Sequence, residues 1–257
     1  MRTNTTTWQG NFGTESITGK AVLITGGTTG IGRTTALLLA SMGARVMIFG
    51  RDEKALKDTL RDFREAQMEE RVHGITADVS KKEDIEKVFS EVDKVLDGLD
   101  VLVNNAALGY NSVMEGSYDD WQYVLNINIL GYFACTHEAV KRMKKKGGGH
   151  IVNIGSMSAH TKDEGSSVYV ATKSGIRGFS ESLRKEVNKD GIKVTLIEPG
   201  AVGTDMQPST PDEQRGKEED MKMLKAEDVA ASVLYALTQP KRCDVVMIQV
   251  RPHLQII

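Results

Sequence analysis

The sequence predicts an α/β fold, a doubly wound parallel sheet of seven strands with helices on both faces, and three observations point to it. Short apolar runs alternate with helical patterns along almost the whole chain, in the order expected of a parallel sheet covered on both sides. The first run leads straight into a glycine-rich turn and then a helix. A chain of 257 residues with 40% hydrophobic content is a routine length for one α/β domain with a substantial core.

A polar arm, residues 1–17, precedes a single domain, 18–257. Strands are expected at Ala21–Thr25, Arg45–Phe49, Val72–Ala77, Val101–Asn104, His150–Ile154, Lys193–Ile197 and Val245–Val250. Between them helical patterns run from Ile31 to Met42, Glu53 to Gln67, Lys81 to Leu96, Trp121 to Lys146, Val168 to Lys189 and Glu227 to Thr238. Gly43 can stop the first helix, and Ser80-Lys-Lys-Glu83 has the form of a capping box opening the third. The basic run Lys141–Lys146, followed by three glycines, fits a helix C-terminus better than a nucleic-acid patch, because cations there face the unpaired carbonyls. Residues 203–225 break the alternation with a charged stretch carrying Pro208 and Pro211, and its position after a strand end favours a substrate lid.

Composition narrows the function classes. Formal charge is -2, from 33 basic and 35 acidic residues, so no global field recruits nucleic acid or an acidic membrane. No apolar stretch is long enough to span a bilayer, and Met1 to Lys20 carries no apolar signal-peptide core, so a cytoplasmic location is expected. Cys135 and Cys243 lie far apart with no ligand spacing, which suggests neither a disulfide framework nor a metal site. A small molecule is the expected partner.

The turn after the first strand reads Thr25-Gly26-Gly27-Thr28-Thr29-Gly30-Ile31-Gly32. Its glycines allow a close backbone approach, so that a pyrophosphate can rest on the free N–H groups and positive end of the following helix. The second strand ends Ile48-Phe49-Gly50-Arg51-Asp52. Gly50 takes the place where an acidic side chain would meet the ribose of NAD, and Arg51 can pair with a 2'-phosphate, which favours NADP. Asp52 is the rival feature for NAD, although it reads equally well as a helix N-cap.

Ser156, Tyr169 and Lys173 can form one proton-transfer unit. A phenol titrates near pH ~10 in water, and a cation beside it lowers that value. Spacing i, i+4 puts Tyr169 and Lys173 on one helix face, and a Ser156 hydroxyl at a strand end can hydrogen-bond the oxygen that the phenol protonates. That is carbonyl-reductase chemistry.

With these motifs in place the chain resembles the short-chain dehydrogenase/reductase family, of Rossmann-type fold, from about Thr18 to the C-terminus. The resemblance implies a pyrophosphate site at Gly26, Thr28, Thr29, Gly30, Ile31 and Gly32, adenine contacts at Asp78 and Val79, and a nicotinamide site at Asn105, Ala106, Pro199, Gly200, Val202 and Thr204. Ala107 replaces the final glycine of the family's Asn-Asn-Ala-Gly segment and narrows the space by a methyl group. The family's catalytic positions fall on Asn128, Ser156, Tyr169 and Lys173; Asn126 competes on composition, but Asn128 has the right offset to Gly131. By resemblance Tyr169 is the acid-base, Ser156 orients the carbonyl, Lys173 binds the nicotinamide ribose and lowers the Tyr169 pKa, and Asn128 holds a relay water. Ala107, Leu108, Met157 and Met206, with Tyr110 and His160, are candidates for an apolar, adaptable substrate pocket. The run Val246–Pro252 looks like the NADP-dependent branch acting on hydroxy acids and small ketones. The resemblance also implies a homo-oligomer, a dimer of dimers paired through the helices at Trp121–Lys146 and Val168–Lys189.

The expected function is therefore an NADP-dependent oxidoreductase interconverting a ketone or aldehyde with an alcohol. A non-catalytic NADP-binding sensor on the same fold is the alternative from another class, as is the same chemistry with NAD.

Overall fold

The computed structural model describes residues 14–207 and 209–255, so most of the expected N-terminal arm lies outside the described residues. Of the arm's last residues, Ile17 is already buried in the core, and the Glu15 N–H donates to the Thr238 carbonyl.

Seven strands form one parallel sheet in the order β3-β2-β1-β4-β5-β6-β7. They are β1 (Ala21–Thr25), β2 (Arg45–Gly50), β3 (Val72–Thr76), β4 (Val101–Asn104), β5 (Gly149–Ile154), β6 (Ile192–Pro199) and β7 (Met247–Val250). The helices are α1 (Gly30–Ser41), α2 (Glu53–Glu65), α3 (Lys82–Leu96), α4 (Tyr118–Leu125), α5 (Gly131–Lys146), α6 (Ser158–Thr161), α7 (Ser167–Val187), α8 (Pro211–Glu219) and α9 (Ala226–Leu237).

Alternate strand residues feed two cores. Leu23, Met47, Phe49, Leu102 and Ile151 face α3, α5 and α7, while Val22, Ile24, Val46, Ile48 and Val103 face α1, α2 and α9. Because both faces are covered, β1 and β4 are buried at every position, which explains their unbroken apolar runs. The strand order reverses between β1 and β4, and a crevice opens outside their carboxyl ends.

Three local features differ from expectation. The Ser80–Glu83 box does not form: α3 starts at Lys82 with no side-chain cap, because the Ser80 hydroxyl and N–H both turn back to Asp78 Oδ1. The helix expected from Trp121 to Lys146 begins at Tyr118, under a capping box between Ser117 and Asp120, and is interrupted by a π turn at Asn126–Leu130, where the Gly131 N–H reaches the Asn126 carbonyl five residues back. Residues 203–225 contain α8, opened by a Thr210–Glu213 capping box with Pro211 at its start, and the excursion is fastened at its base by a bridge between Val202 and Leu224.

Other ends follow the sequence. Asp52 caps α2 by accepting from the Ala55 N–H at 2.9 Å, and Gly147, left-handed at φ +80°, stops α5 after its lysines. None of the helices among the described residues is long and apolar enough to cross a membrane, and no His, Cys, Asp and Glu group there could hold a metal.

Candidate active site

The turn after β1 is built by close approach. Gly26 has φ +61°, and a Cβ there would stand 2.9 Å from the Ala106 Cα. Gly32 lies under the turn, where a Cβ would come within 2.2 Å of the Gly26 carbonyl oxygen. Thr25 and Asn105 clamp this turn to the end of β4: the Asn105 and Ala106 N–H groups donate to Thr25 Oγ1 at 2.9 and 2.8 Å, and Asn105 Nδ2 donates to the carbonyls of Thr25 and Gly26, both at 3.0 Å. Helix α1 then begins with no side-chain cap and no acidic residue in its first turn. Its first N–H groups and positive end are therefore left for an anion, so the cradle fits a dinucleotide pyrophosphate.

A cavity of about 530 Å³ runs from this turn along the sheet's carboxyl edge. One end is bordered by Gly50, Arg51, Asp78 and Val79, the other by Ser156, Tyr169 and Lys173. All the expected cofactor residues border it except Gly32, including Thr28, Thr29, Gly30, Ile31, Pro199, Gly200, Val202 and Thr204. At Gly50 a Cβ would lie 2.4 Å from Thr28 Oγ1, and Thr59 holds the Thr28 carbonyl in turn, so an acidic side chain there would have to displace the Thr28 side chain. Asp52 is committed to the α2 cap. Arg51 Nη1 donates to the Tyr123 hydroxyl, which donates to Asp78 Oδ2 at 3.4 Å, so one phenol joins the guanidinium to the carboxylate across this end of the cavity. Sequence reasoning missed Tyr123, and only the packing of α4 against this edge brings it in.

At the other end Ser156 follows β5; its hydroxyl donates to Ser158 Oγ and accepts from the Ser158 N–H, both at 3.1 Å, and it borders both cavities together with Tyr169. Burial pushes the Tyr169 phenol up, and the Ser156 hydroxyl opposes that shift. Lys173, one turn later on α7, is buried; its ammonium donates to the Ile154 carbonyl at 3.0 Å and lies 5.6 Å from the centre of the Tyr169 ring. Burial lowers the Lys173 pKa to about 8, so the group stays largely charged at neutral pH. Tyr132 donates to the same Ile154 carbonyl and faces the ammonium with its ring, closing the site from below.

Asn128, carried inward by the π turn, borders neither cavity. Its Oδ1 accepts from the Leu108 N–H at 2.8 Å, and Nδ2 donates to the Leu108 carbonyl at 2.9 Å and to Thr172 at 3.2 Å. Both amide protons are spent, so this side chain positions the Leu108 wall.

A second cavity, about 880 Å³, adjoins the first and shares Leu108, Ser156, Tyr169 and Met206 with it. Of the expected pocket residues, Leu108 and Met206 border both cavities, Met157 and Tyr110 the second, and Ala107 the first. His160 is the correction. Its Nε2 lies 2.6 Å from Glu198 Oε2, with Arg177 and Gln249 against the same ring, and it borders neither cavity. Contact with the fully buried Glu198 outweighs its place in sequence after Met157.

The family model described as short chain dehydrogenase matches residues 20–215. The chain is a short-chain dehydrogenase/reductase. An uncharacterized oxidoreductase of Staphylococcus aureus (strain MRSA252) shares 34% identity with this family member over 237 residues, 92% of this chain and 98% of that one. One from Staphylococcus saprophyticus is 32% identical, covering 91% and 97%. Among solved structures, a short chain dehydrogenase from Burkholderia cenocepacia in complex with NADP matches with a TM-score of 0.80 at 27% identity, covering 93% of this chain and 98% of that one. A mutant short-chain dehydrogenase/reductase of Serratia marcescens matches with a TM-score of 0.82 at 25% identity, over 94% and 100%. The short-chain dehydrogenase/reductase described here is thus an oxidoreductase acting on CH–OH groups.

Proposed function

We propose that the protein is an NADP-dependent carbonyl reductase and alcohol dehydrogenase, with Tyr169 as acid-base. The observation that carries this reading is the placement of Ser156 and Tyr169 where the two cavities meet, with the Lys173 ammonium beneath the phenol. Residues from Gly26 to Thr204 along the first cavity would hold the dinucleotide, whose nicotinamide would supply or accept the hydride. Ser156 donates a hydrogen bond to the carbonyl oxygen of a substrate in the second cavity. Tyr169 gives that oxygen its proton in reduction, and takes it back in oxidation. Lys173 stabilises the phenolate left behind, and burial that raises the Tyr169 pKa keeps the acid form loaded near neutral pH. Asn128 acts through Leu108, holding the wall against which the substrate lies. Oxidation of NADPH against a panel of uncharged and anionic carbonyl compounds tests the activity. NADPH binding with no turnover of any member would favour the sensor reading.

Several features support NADP over NAD: the absence of an acid at Gly50, where Thr28 crowds the space a Cβ would fill, the use of Asp52 as a cap, and Arg51 at the adenosine end. The Burkholderia cenocepacia relative is an NADP complex. Arg51→Ala should weaken NADPH binding by about tenfold or more, the worth of a charge-assisted phosphate contact, and leave NADH nearly unchanged. Equal losses for both cofactors in a fluorescence titration would contradict the assignment.

A homo-oligomer is the second part of the reading. Leu125, Leu130 and Phe133 stand exposed around the α4–α5 junction, and Phe133 packs against Phe179 of α7 in a tilted pair with ring centres 4.6 Å apart, so the two helices present one apolar face. Light scattering at micromolar concentration should give a dimer or a dimer of dimers; a monomer would overturn this.

A further inference from the structure

The charge on the second cavity selects its substrate. Glu115, Asp163 and Asp205 line it, and no lysine, arginine or histidine does among the described residues. The three carboxylates come from separate segments: the loop before α4, the loop after α6, and the stretch after β6. Asn111 Nδ2 donates to Glu115 at 3.3 Å and Thr161 Oγ1 to Asp163 at 2.9 Å, contacts that hold these two side chains and leave their charge in place. Among the described residues none of the three forms an ion pair. The two cations of the adjoining cavity are spent elsewhere: Lys173 is buried under Tyr169 and bonded to Ile154, and Arg51 lies at the far, adenosine end. A bound dinucleotide adds further negative charge. The rest of the polar wall, from Tyr110, Ser158, Ser166 and Gln255, offers uncharged donors and acceptors.

We propose that this cavity takes uncharged, hydroxyl-bearing or otherwise polar carbonyl compounds and discriminates against carboxylates and acyl thioesters carrying phosphates. The proposal rests on the carbonyl-reductase reading above and sets aside the hydroxy-acid part of the sequence expectation. Three like charges around one cavity repel an anionic substrate with no compensating cation in its lining, and because all three side chains are exposed the repulsion is sensitive to salt. Specificity of this kind comes from the repulsive element as much as from attractive contacts.

The test compares one 3-oxo acid with its methyl ester, using the full-length enzyme and saturating NADPH. The expected kcat/KM for the acid is lower by roughly tenfold or more, and the gap should narrow as ionic strength rises, since salt screens charge and not shape. A Glu115→Gln, Asp163→Asn, Asp205→Asn triple variant should raise the acid-to-ester ratio. Should the triple variant fail to fold, the salt dependence of the unmodified enzyme decides the matter by itself. An acid turned over as well as its ester, with a ratio indifferent to salt, would overturn the proposal alone. NADPH binding with no turnover of either compound would overturn the carbonyl-reductase reading, and this inference with it.

Discussion

Tyr169→Phe should bind NADPH with unchanged affinity and turn over a confirmed carbonyl substrate at least about 100-fold more slowly, because it keeps the ring and loses the transferable proton. The phenol stands beside Ser156 where the two cavities meet, the position from which the proton is delivered. Ser156 keeps its hydroxyl in this variant, but an aliphatic hydroxyl is a far weaker acid than a phenol, and its proton already goes to Ser158 Oγ at 3.1 Å. Lys173→Met differs in kind: losing the ammonium removes the cation that steadies the phenolate and a contact expected to reach the nicotinamide ribose, so turnover and NADPH affinity should fall together. The unmodified enzyme should lose reductive kcat/KM as pH rises through about 8, where Lys173 gives up its charge, and that limb should be altered in the Met variant. Wild-type turnover in Tyr169→Phe would transfer the acid role to another group.

The second large effect concerns stability in acid. His150 on β5 is buried, with Nε2 2.8 Å from Thr195 Oγ1, whose own proton goes to the Val245 carbonyl. That chain makes Nε2–H the donor and leaves the neutral ring in place. Burial first, and the Lys193 cation second, lower its pKa from 6.5 to about 3. A histidine depressed in the folded state contributes stability above its unfolded value, near pH 6.5, that is lost as pH falls toward 3. At pH 5 the loss from this group should be about 2 kcal/mol, from roughly 1.5 pH units at 1.36 kcal/mol each. Urea denaturation at pH 7.5 and pH 5 should show it, and His150→Gln should flatten the dependence. An unchanged pH dependence in that variant would count against a buried neutral His150.

Much of the architecture was legible because burial imposes strong constraints on sequence. β1 and β4 are read at their observed boundaries since every position is buried and the flanking glycine turn and Asn105 mark where the chain must leave the sheet. The glycine turn after β1 was legible for a similar reason: the spaces at Gly26 and Gly32 leave little choice of residue. Weaker constraints misled. Ser80 and Glu83 have the composition of a capping box, but Asp78 lies two residues away and takes the serine hydroxyl first. The π turn has no pattern of its own in Asn126–Leu130, and α8, with no buried residue, leaves no apolar periodicity to find. His160 lay beside the pocket in sequence, whereas its destination was set by Glu198, thirty-eight positions on. The acidic cavity wall could not be seen in advance, because Glu115, Asp163 and Asp205 meet only once three loops are placed.

The contact between Gly50 and Thr28 has a further consequence for how this lineage can change. An acid introduced at position 50 would place its Cβ 2.4 Å from the threonine hydroxyl oxygen, so that step also displaces a side chain of the glycine-rich turn. Thr28 must move or shrink for position 50 to grow. The two positions are therefore coupled, and a change that looks like one substitution in sequence involves two side chains in three dimensions.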